Sequence, residues 1–116
     1  MHTPDSILDN HLGAFARGDL DAVLSDYAPD AMLFTPMGIL KGPDEIRALI
    51  AKLIAEFAKP VSSFTLKYRA STHDHAYIIW SAETADNFYD FVTDTFTIRD
   101  GKIAAQSFAA VVRPKV

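Results

Sequence analysis

Residues 42–60 read GPDEIRALIAKLIAEFAKP and residues 61–70 read VSSFTLKYRA, and the border between them decides the fold. In the first stretch, apolar residues from Ile46 to Phe57 recur every three or four positions, which predicts an amphipathic helix that Pro60 ends. In the second stretch, apolar and polar residues alternate, which predicts a β-strand. Because strand patterns dominate the rest of the chain, the sequence predicts helices first and a sheet last, the order of an α+β domain.

Two more helices and a short hairpin are predicted before residue 42. Thr3 caps the first helix, whose apolar stripe stops at Gly18. Asp19 caps a second, shorter helix that carries Tyr27 on its apolar side and ends at Pro29. The turn residues that follow predict a small hairpin of two short strands, at residues 31–35 and 39–40.

Three clusters of turn residues interrupt the β half, at His73-Asp74-His75, Ala85-Asp86-Asn87 and Arg99-Asp100-Gly101. Their spacing predicts three hairpin turns that join four long strands. Helices can cover only one face of such a sheet. We therefore expect amphipathic helices to lie across a curved antiparallel sheet and to enclose a small pocket.

The first of these turns places His73 and His75 on either side of Asp74, which is a possible start of a metal site. Alternate residues at a tight turn are normally solvated, and no third ligand lies nearby in the sequence. We interpret this segment as a structural turn and predict no metal. No glycine-rich phosphate loop, nucleophile elbow or zinc motif occurs, so no cofactor is expected.

The composition narrows the class of protein. The chain has 116 residues, of which 49% are hydrophobic, and this predicts one domain over residues 1–116. A formal charge of −4 without a run of basic residues argues against nucleic acid as a partner. No cysteine is present, which excludes disulfides and thiolate nucleophiles. No apolar stretch approaches the roughly 20 residues that cross a bilayer, and the N-terminus lacks a secretion-signal layout, so we expect a cytoplasmic protein without a membrane partner.

Side-chain alternation predicts which residues face the helices. If the turn near Asp86 has two or four residues, the pocket face carries Asp94 together with Ile79, Ser81, Glu83, Val92 and Phe96. The opposite face then carries Ile78, Trp80, Phe91, Thr93 and Thr95. A three-residue loop at the last turn pairs Asp94 with Gln106 and Val92 with Phe108, whereas a two-residue loop would substitute Ser107 and Ala109.

The face away from the helices also needs a cover. Ile78, Trp80 and Phe91 exposed together would form an apolar patch larger than a soluble monomer normally carries. The sequence therefore predicts a homodimer through this face of the sheet.

Two polar residues fall where a core is expected. His11 lies in the middle of the apolar stripe of the first helix, where it is either a buried histidine satisfied by its surroundings or a functional group. Asp94 falls among apolar residues, and a buried carboxylate needs compensation. Either His11 pairs with Asp94, or Asp94 has a raised pKa and donates a hydrogen bond as a protonated acid. The sequence does not choose between these two arrangements.

His11 and Asp94 are the candidate catalytic residues. The other predicted pocket residues are apolar side chains and neutral hydrogen-bonding groups, with Glu83 nearer the rim. They are Phe15, Thr35, Phe57, Ser81, Glu83, Val92, Phe96, Gln106 and Phe108.

Three segments carry a resemblance to a known family: GDLDAVLSDYAPDAMLFTPMG at 18–38, KGPDEIRALI at 41–50 and FTIRDGKI at 96–103. Together with the order of the predicted elements, they resemble the nuclear transport factor 2-like superfamily, which includes ketosteroid isomerases and polyketide cyclases. The resemblance covers nearly the whole chain. It implies a cone-shaped fold in which three helices pack on a curved antiparallel sheet around a pocket.

Ketosteroid isomerases combine an aspartate base with an oxyanion hole made of a tyrosine and a protonated aspartate. By this resemblance, the tyrosine position falls on His11, counted from the junction at Gly18, and the second aspartate position falls on Asp94. The base position, before the proline of the hairpin, falls on Thr35. A threonine hydroxyl cannot act as a general base unaided, and this departure argues against classical steroid isomerisation.

Three functions are compatible with these residues. The first is cofactor-independent acid/base catalysis by Asp94 and His11, such as isomerisation or enolisation of a small carbonyl compound. The second is binding of an apolar small molecule without catalysis. The third is a dimeric interaction module that uses the sheet face.

Overall fold

The computed structural model describes residues 3–116. Three helices lie on one side of a curved, unclosed six-stranded sheet, which confirms the α+β class. The strand order is β2-β1-β6-β5-β4-β3; β1 and β6 run parallel and all other neighbours antiparallel. The elements are α1 (Pro4–Ala16), α2 (Leu20–Ser25), β1 (Tyr27–Thr35), β2 (Gly38–Lys41), α3 (Gly42–Ala58), β3 (Ser63–Thr72), β4 (His75–Glu83), β5 (Asn87–Arg99) and β6 (Lys102–Pro114).

The helix starts follow the capping rules from which they were predicted. The Thr3 side chain accepts a hydrogen bond from the Ser6 backbone N–H at 3.1 Å, and Asp19 caps α2 in the same way through the Ala22 N–H. Each cap satisfies an N–H group that has no partner within its helix. The chain turns between α1 and α2 at Gly18, whose φ of 69° suits glycine.

The predicted second helix is too long. In the structure, α2 ends at Ser25. Tyr27 begins strand β1 and does not lie on a helical face. The Ile103 N–H donates to the Asp26 carbonyl at 2.7 Å, and Tyr27 pairs with Ile103. Pairing with a distant strand thus overrides the local helical period, and β1 includes Pro29, which had been expected to end the helix.

The register between β4 and β5 differs from the prediction. Next to the turn, Ala82 pairs with Tyr89 as alternation predicts, but further along Trp80 pairs with Val92 and Ile78 with Asp94. Strand β5 therefore contains one extra residue after Tyr89, a β-bulge that shifts the pairing by one position. Such a shift reverses the face on which every later side chain lies.

The bulge corrects the predicted faces of β4. Ile78 and Trp80 lie on the helix side with Asp94, and Ile78 is only 2% exposed. Ile79 pairs with Thr93 on the opposite face. The predicted apolar patch of Ile78, Trp80 and Phe91 is therefore wrong for its first two members, and Phe91 alone of the three is exposed.

The last hairpin closes through a two-residue turn, not the expected three-residue loop. Arg99 pairs with Lys102, and the two turn residues, Asp100 and Gly101, have φ values of 54° and 74°. Positive φ at both positions is typical of a tight hairpin turn. A second shift of register occurs between Thr97 and Ile98, where β6 contains one extra residue. This shift offsets the change in turn length, so Gln106 lies on the same face of the sheet as Asp94, as predicted.

A polar tether joins the end of α3 to the turn between β4 and β5. The Glu56 carboxylate accepts hydrogen bonds from Thr84 at 2.6 Å, Asn87 at 3.0 Å and Tyr89 at 2.9 Å. Burial acts to raise the pKa of Glu56, but these three hydrogen bonds outweigh it and leave the pKa lowered. The tether fixes the last turn of α3, which carries Phe57, against the sheet.

The main core lies between the helices and the sheet. Its fully buried large side chains come from both layers and are Val23, Leu33, Ile46, Ile78 and Ile103. Within residues 3–116, no helix is long and apolar enough to cross a membrane.

Candidate functional site

The Asp94 carboxylate is buried on β5 with a residue exposure of 8%. Oδ1 accepts a hydrogen bond from Gln106 Nε2 at 2.9 Å, and Oδ2 accepts one from Trp80 Nε1 at 2.8 Å. The required compensation therefore comes from two neutral donors on the neighbouring strands. A direct pair between His11 and Asp94 is not formed, because Gln106 and Tyr27 lie between them.

The hydrogen bonds continue from Gln106 to the first helix. The Tyr27 hydroxyl donates to Gln106 Oε1 at 2.5 Å and lies 3.4 Å from His11 Nε2. The other ring nitrogen, His11 Nδ1, lies 3.1 Å from Asp26 Oδ2. We call this connected set, Asp26, His11, Tyr27, Gln106, Asp94 and Trp80, the polar network.

The electrostatics of the polar network follow from its burial. Burial raises the pKa of Asp94; the hydrogen bonds from Trp80 and Gln106 and the nearby His11 ring act in the opposite direction but do not cancel it. Burial also raises the pKa of Tyr27, and the negative charges of Asp94 and Asp26 raise it further. Tyr27 therefore keeps its proton and acts as a donor, while Asp94 can take up a proton at a higher pH than a free aspartate.

A cavity of about 590 Å³ opens between the C-terminal ends of α1 and α3 and the beginning of β3. Its wall is mainly apolar. The lining residues are Leu12, Gly13, Phe15, Ala16, Arg17, Gly18, Ile54, Phe57, Ala58, Ser62, Ser63 and Phe64.

Aromatic side chains lie between this cavity and the polar network. The ring centroids of Phe15 and Phe57 are 5.6 Å apart, and those of Phe57 and Trp80 are 6.4 Å apart. Phe64, another lining residue, packs against Trp80 with the ring centroids 5.2 Å apart. Since Trp80 donates to Asp94, a single side chain connects the cavity wall to the buried carboxylate.

The structure divides the predicted site residues into groups. Phe15 and Phe57 line the cavity, and His11, Asp94 and Gln106 belong to the polar network. The other apolar members lie on the Asp94 face: Val92 and Phe96 are buried, and Phe108 packs against the core.

Three predicted members lie away from these groups. Thr35 is a turn residue, because its hydroxyl donates to the Gly38 carbonyl at 2.8 Å and accepts from the Met37 N–H at 3.0 Å. Ser81 and Glu83 alternate with Trp80 and Ala82, so they lie on the face opposite Asp94. The Glu83 carboxylate is 2.6 Å from the Lys115 ammonium.

Three members of the polar network were not predicted from the sequence. Tyr27 matched the apolar stripe of a helix, and Trp80 was assigned to the other face because the β5 bulge leaves no mark in the alternation of residues. Asp26 is the C-terminal cap of α2, a position where an acidic residue gives no signal of a histidine partner.

No group of three histidine, aspartate or glutamate side chains in the described part of the chain is close enough to hold a metal ion.

Three helices lie on one face of a curved six-stranded sheet with this strand order. This is the nuclear transport factor 2-like fold. The family model of the SnoaL-like domain matches residues 8–106, and the chain belongs to this family. No curated protein matches the sequence.

Solved structures share the fold at low sequence identity. A protein from Kribbella flavida has a TM-score of 0.81 at 16% identity, with 95% of this chain and 87% of that chain covered. A nuclear transport factor 2-like protein of unknown function from Cytophaga hutchinsonii has a TM-score of 0.79 at 10% identity, with coverages of 96% and 92%. A proposed polyketide cyclase from Sinorhizobium meliloti has a TM-score of 0.70 at 22% identity, with coverages of 88% and 92%.

Proposed function

We propose that this protein binds a small, mainly apolar molecule in the cavity between α1, α3 and β3. The observation that carries this proposal is the cavity itself, with a volume of about 590 Å³ and a wall dominated by Leu12, Phe15, Ile54, Phe57 and Phe64. Small-molecule sites typically have volumes of about 300 to 1,000 Å³ and apolar walls with a few polar groups. Arg17, Ser62 and Ser63 provide such polar groups here.

Filling the cavity tests this proposal. Ala58 and Ala55 are both exposed alanines on α3, but only Ala58 lines the cavity. We expect Ala58→Trp to weaken the binding of naphthylethanol, a neutral apolar probe, by at least about tenfold, because the indole occupies the ligand volume. Isothermal titration calorimetry measures the affinity. The matched Ala55→Trp variant should bind like the wild type, and equal affinity of both variants would contradict the proposed location.

The second candidate function is acid/base catalysis on a small carbonyl compound. It is supported by the buried Asp94, whose raised pKa suits proton transfer, and by its connection through Trp80 to the cavity wall. In this reaction the Asp94 carboxylate removes a hydrogen next to the carbonyl group, an enolate forms, and the same proton or one from water returns to carbon. Trp80 packs against Phe57 of the cavity wall and donates to Asp94, so this reaction requires Trp80 to move aside for the substrate.

Thr35 occupies the position that, by resemblance, carries the general base in ketosteroid isomerases. Both hydrogen bonds of its hydroxyl lie within the turn between β1 and β2. The proposed proton transfer therefore depends on Asp94 and not on the position that carries the base in ketosteroid isomerases.

We also propose a homodimer through the outer face of the sheet, the face away from the helices. Ile78 and Trp80 do not lie on this face, but Phe91 does. Phe91 and Val111 pair across β5 and β6 and are 48% and 56% exposed, and exposed Phe34 and Met32 lie on β1. An apolar sheet face of this kind favours a symmetric contact with a second copy. Light scattering should give twice the chain mass of 12.8 kDa for the wild type and the single mass for Phe91→Glu. A wild-type monomer at micromolar concentration would exclude this dimer.

A further inference from the structure

Within the described residues 3–116, one charged side chain lines the cavity, and it is the positive Arg17. The other lining residues are apolar residues, glycines and two serines. The chain as a whole has 15 acidic and 11 basic residues and a formal charge of −4. The cavity wall therefore has the opposite sign of charge from the protein.

The position of the Arg17 guanidinium follows from the glycine four residues before it. A Cβ atom placed on Gly13 would lie 3.4 Å from Arg17 Nη1, so the guanidinium folds back along α1 over the site where a side chain is missing. Residues four apart are neighbours on a helix surface, and Gly13 itself lines the cavity. Arg17 is an exposed residue whose guanidinium lies beside the cavity wall, within reach of both water and a ligand.

Arg17 makes no ion pair within residues 3–116. Arg69 and Arg113, by contrast, are each paired with aspartates. A guanidinium has five donors in a planar fork that fits a carboxylate, and Arg17 has these donors available beside the cavity. The segment between α3 and β3 adds the hydroxyl groups of Ser62 and Ser63 to the same wall.

Resting on the proposed binding function, we propose that the natural ligand is an apolar molecule with a carboxylate head group. Its body lies between Phe15, Phe57 and Phe64, and its carboxylate accepts hydrogen bonds from the Arg17 guanidinium. Charge-assisted bidentate hydrogen bonds of this kind are stronger than neutral ones. The same arrangement disfavours amines, because the positive guanidinium repels a cationic head group.

Three probes with the same apolar body test this inference: naphthylacetate, naphthylethanol and naphthylethylamine. Calorimetric titration of the full chain should show that the acid binds roughly tenfold more tightly than the alcohol, as expected for about 1.4 kcal/mol from a charge-assisted contact, and that the amine binds most weakly. Arg17→Gln should remove the preference for the acid, and Arg17→Glu should reverse it in favour of the amine. Arg99→Gln is the matched control, because Arg99 is an exposed arginine at the turn between β5 and β6.

The outcomes separate this inference from the function on which it rests. Equal binding of the three probes to the wild type, or an unchanged preference in Arg17→Gln, would overturn the carboxylate assignment and leave the cavity as a binding site. Absence of binding for all three probes would overturn the binding function itself. A preference for the acid that disappears equally in Arg17→Gln and Arg99→Gln would show a general charge effect and would also overturn the assignment.

Discussion

Replacing Gln106 with leucine is expected to lower the free energy of unfolding by about 3 kcal/mol, because two buried groups lose their partners at once. The Tyr27 hydroxyl loses its acceptor, Gln106 Oε1, and Asp94 Oδ1 loses its donor, Gln106 Nε2. Each unsatisfied buried group costs about 1 to 3 kcal/mol. Urea unfolding monitored by the fluorescence of Trp80 measures the change.

A double-mutant cycle distinguishes the loss of hydrogen bonds from a general packing defect. Tyr27→Phe alone removes the donor to Gln106, and we expect it to cost about 1 to 2 kcal/mol. Combined with Gln106→Leu, it should cost about 1 kcal/mol less than the sum of the two single variants, because both ends of one bond are then apolar. Strictly additive effects would mean that this bond does not couple the two residues.

Asp94→Asn is expected to slow proton exchange on a bound ketone by at least about a hundredfold if the second candidate function is correct, since general acid/base groups typically contribute factors of about 10² to 10⁴. The probe is acetonaphthone, whose methyl hydrogens next to the carbonyl exchange with deuterium in heavy water. Nuclear magnetic resonance follows their loss with and without the protein. Asp90→Asn is the matched control, because Asp90 lies on the same strand with its carboxylate paired to Arg113 at the surface.

The pH dependence of this exchange reports the role of Asp94. Burial raises the pKa of Asp94, so the carboxyl stays protonated to a higher pH than an ordinary aspartic acid. A base must be ionised, and the rate should therefore rise with pH through this raised pKa and then level off. If Asp94 instead acts as a protonated hydrogen-bond donor, the rate should fall over the same range. Exchange that is equally fast with wild type, Asp94→Asn and no protein would rule out this catalytic function.

The helical part of the fold was predictable because its signals are local. Thr3 and Asp19 cap helices that begin where the capping rules place them, and the apolar period from Ile46 to Phe57 belongs to a helix of 17 residues. The three hairpins also fall at the predicted turn clusters. These features depend on contacts within a few residues, and a single sequence contains all the information they need.

The candidate site was only partly predictable, since it depends on pairing between distant strands. Asp94, His11 and Gln106 were identified as buried polar residues, but their connection runs through Tyr27, which becomes a strand residue only by pairing with β6. Trp80 reaches Asp94 because of one extra residue in β5. Neither event changes the local pattern of apolar residues, so Tyr27 was wrongly placed on a helix and Trp80 on the wrong face of the sheet.

The bond between Tyr27 and Gln106 joins positions 79 residues apart in the sequence. During synthesis, the first helices and β1 leave the ribosome long before β6 exists, and β1 then lacks its parallel neighbour. The hydroxyl of Tyr27 and the carboxylate of Asp94 therefore stay hydrated until β6 brings Gln106 to them. Folding of this domain is accordingly completed only when β6 docks, and this one step both places β6 between β1 and β5 and removes the site from water.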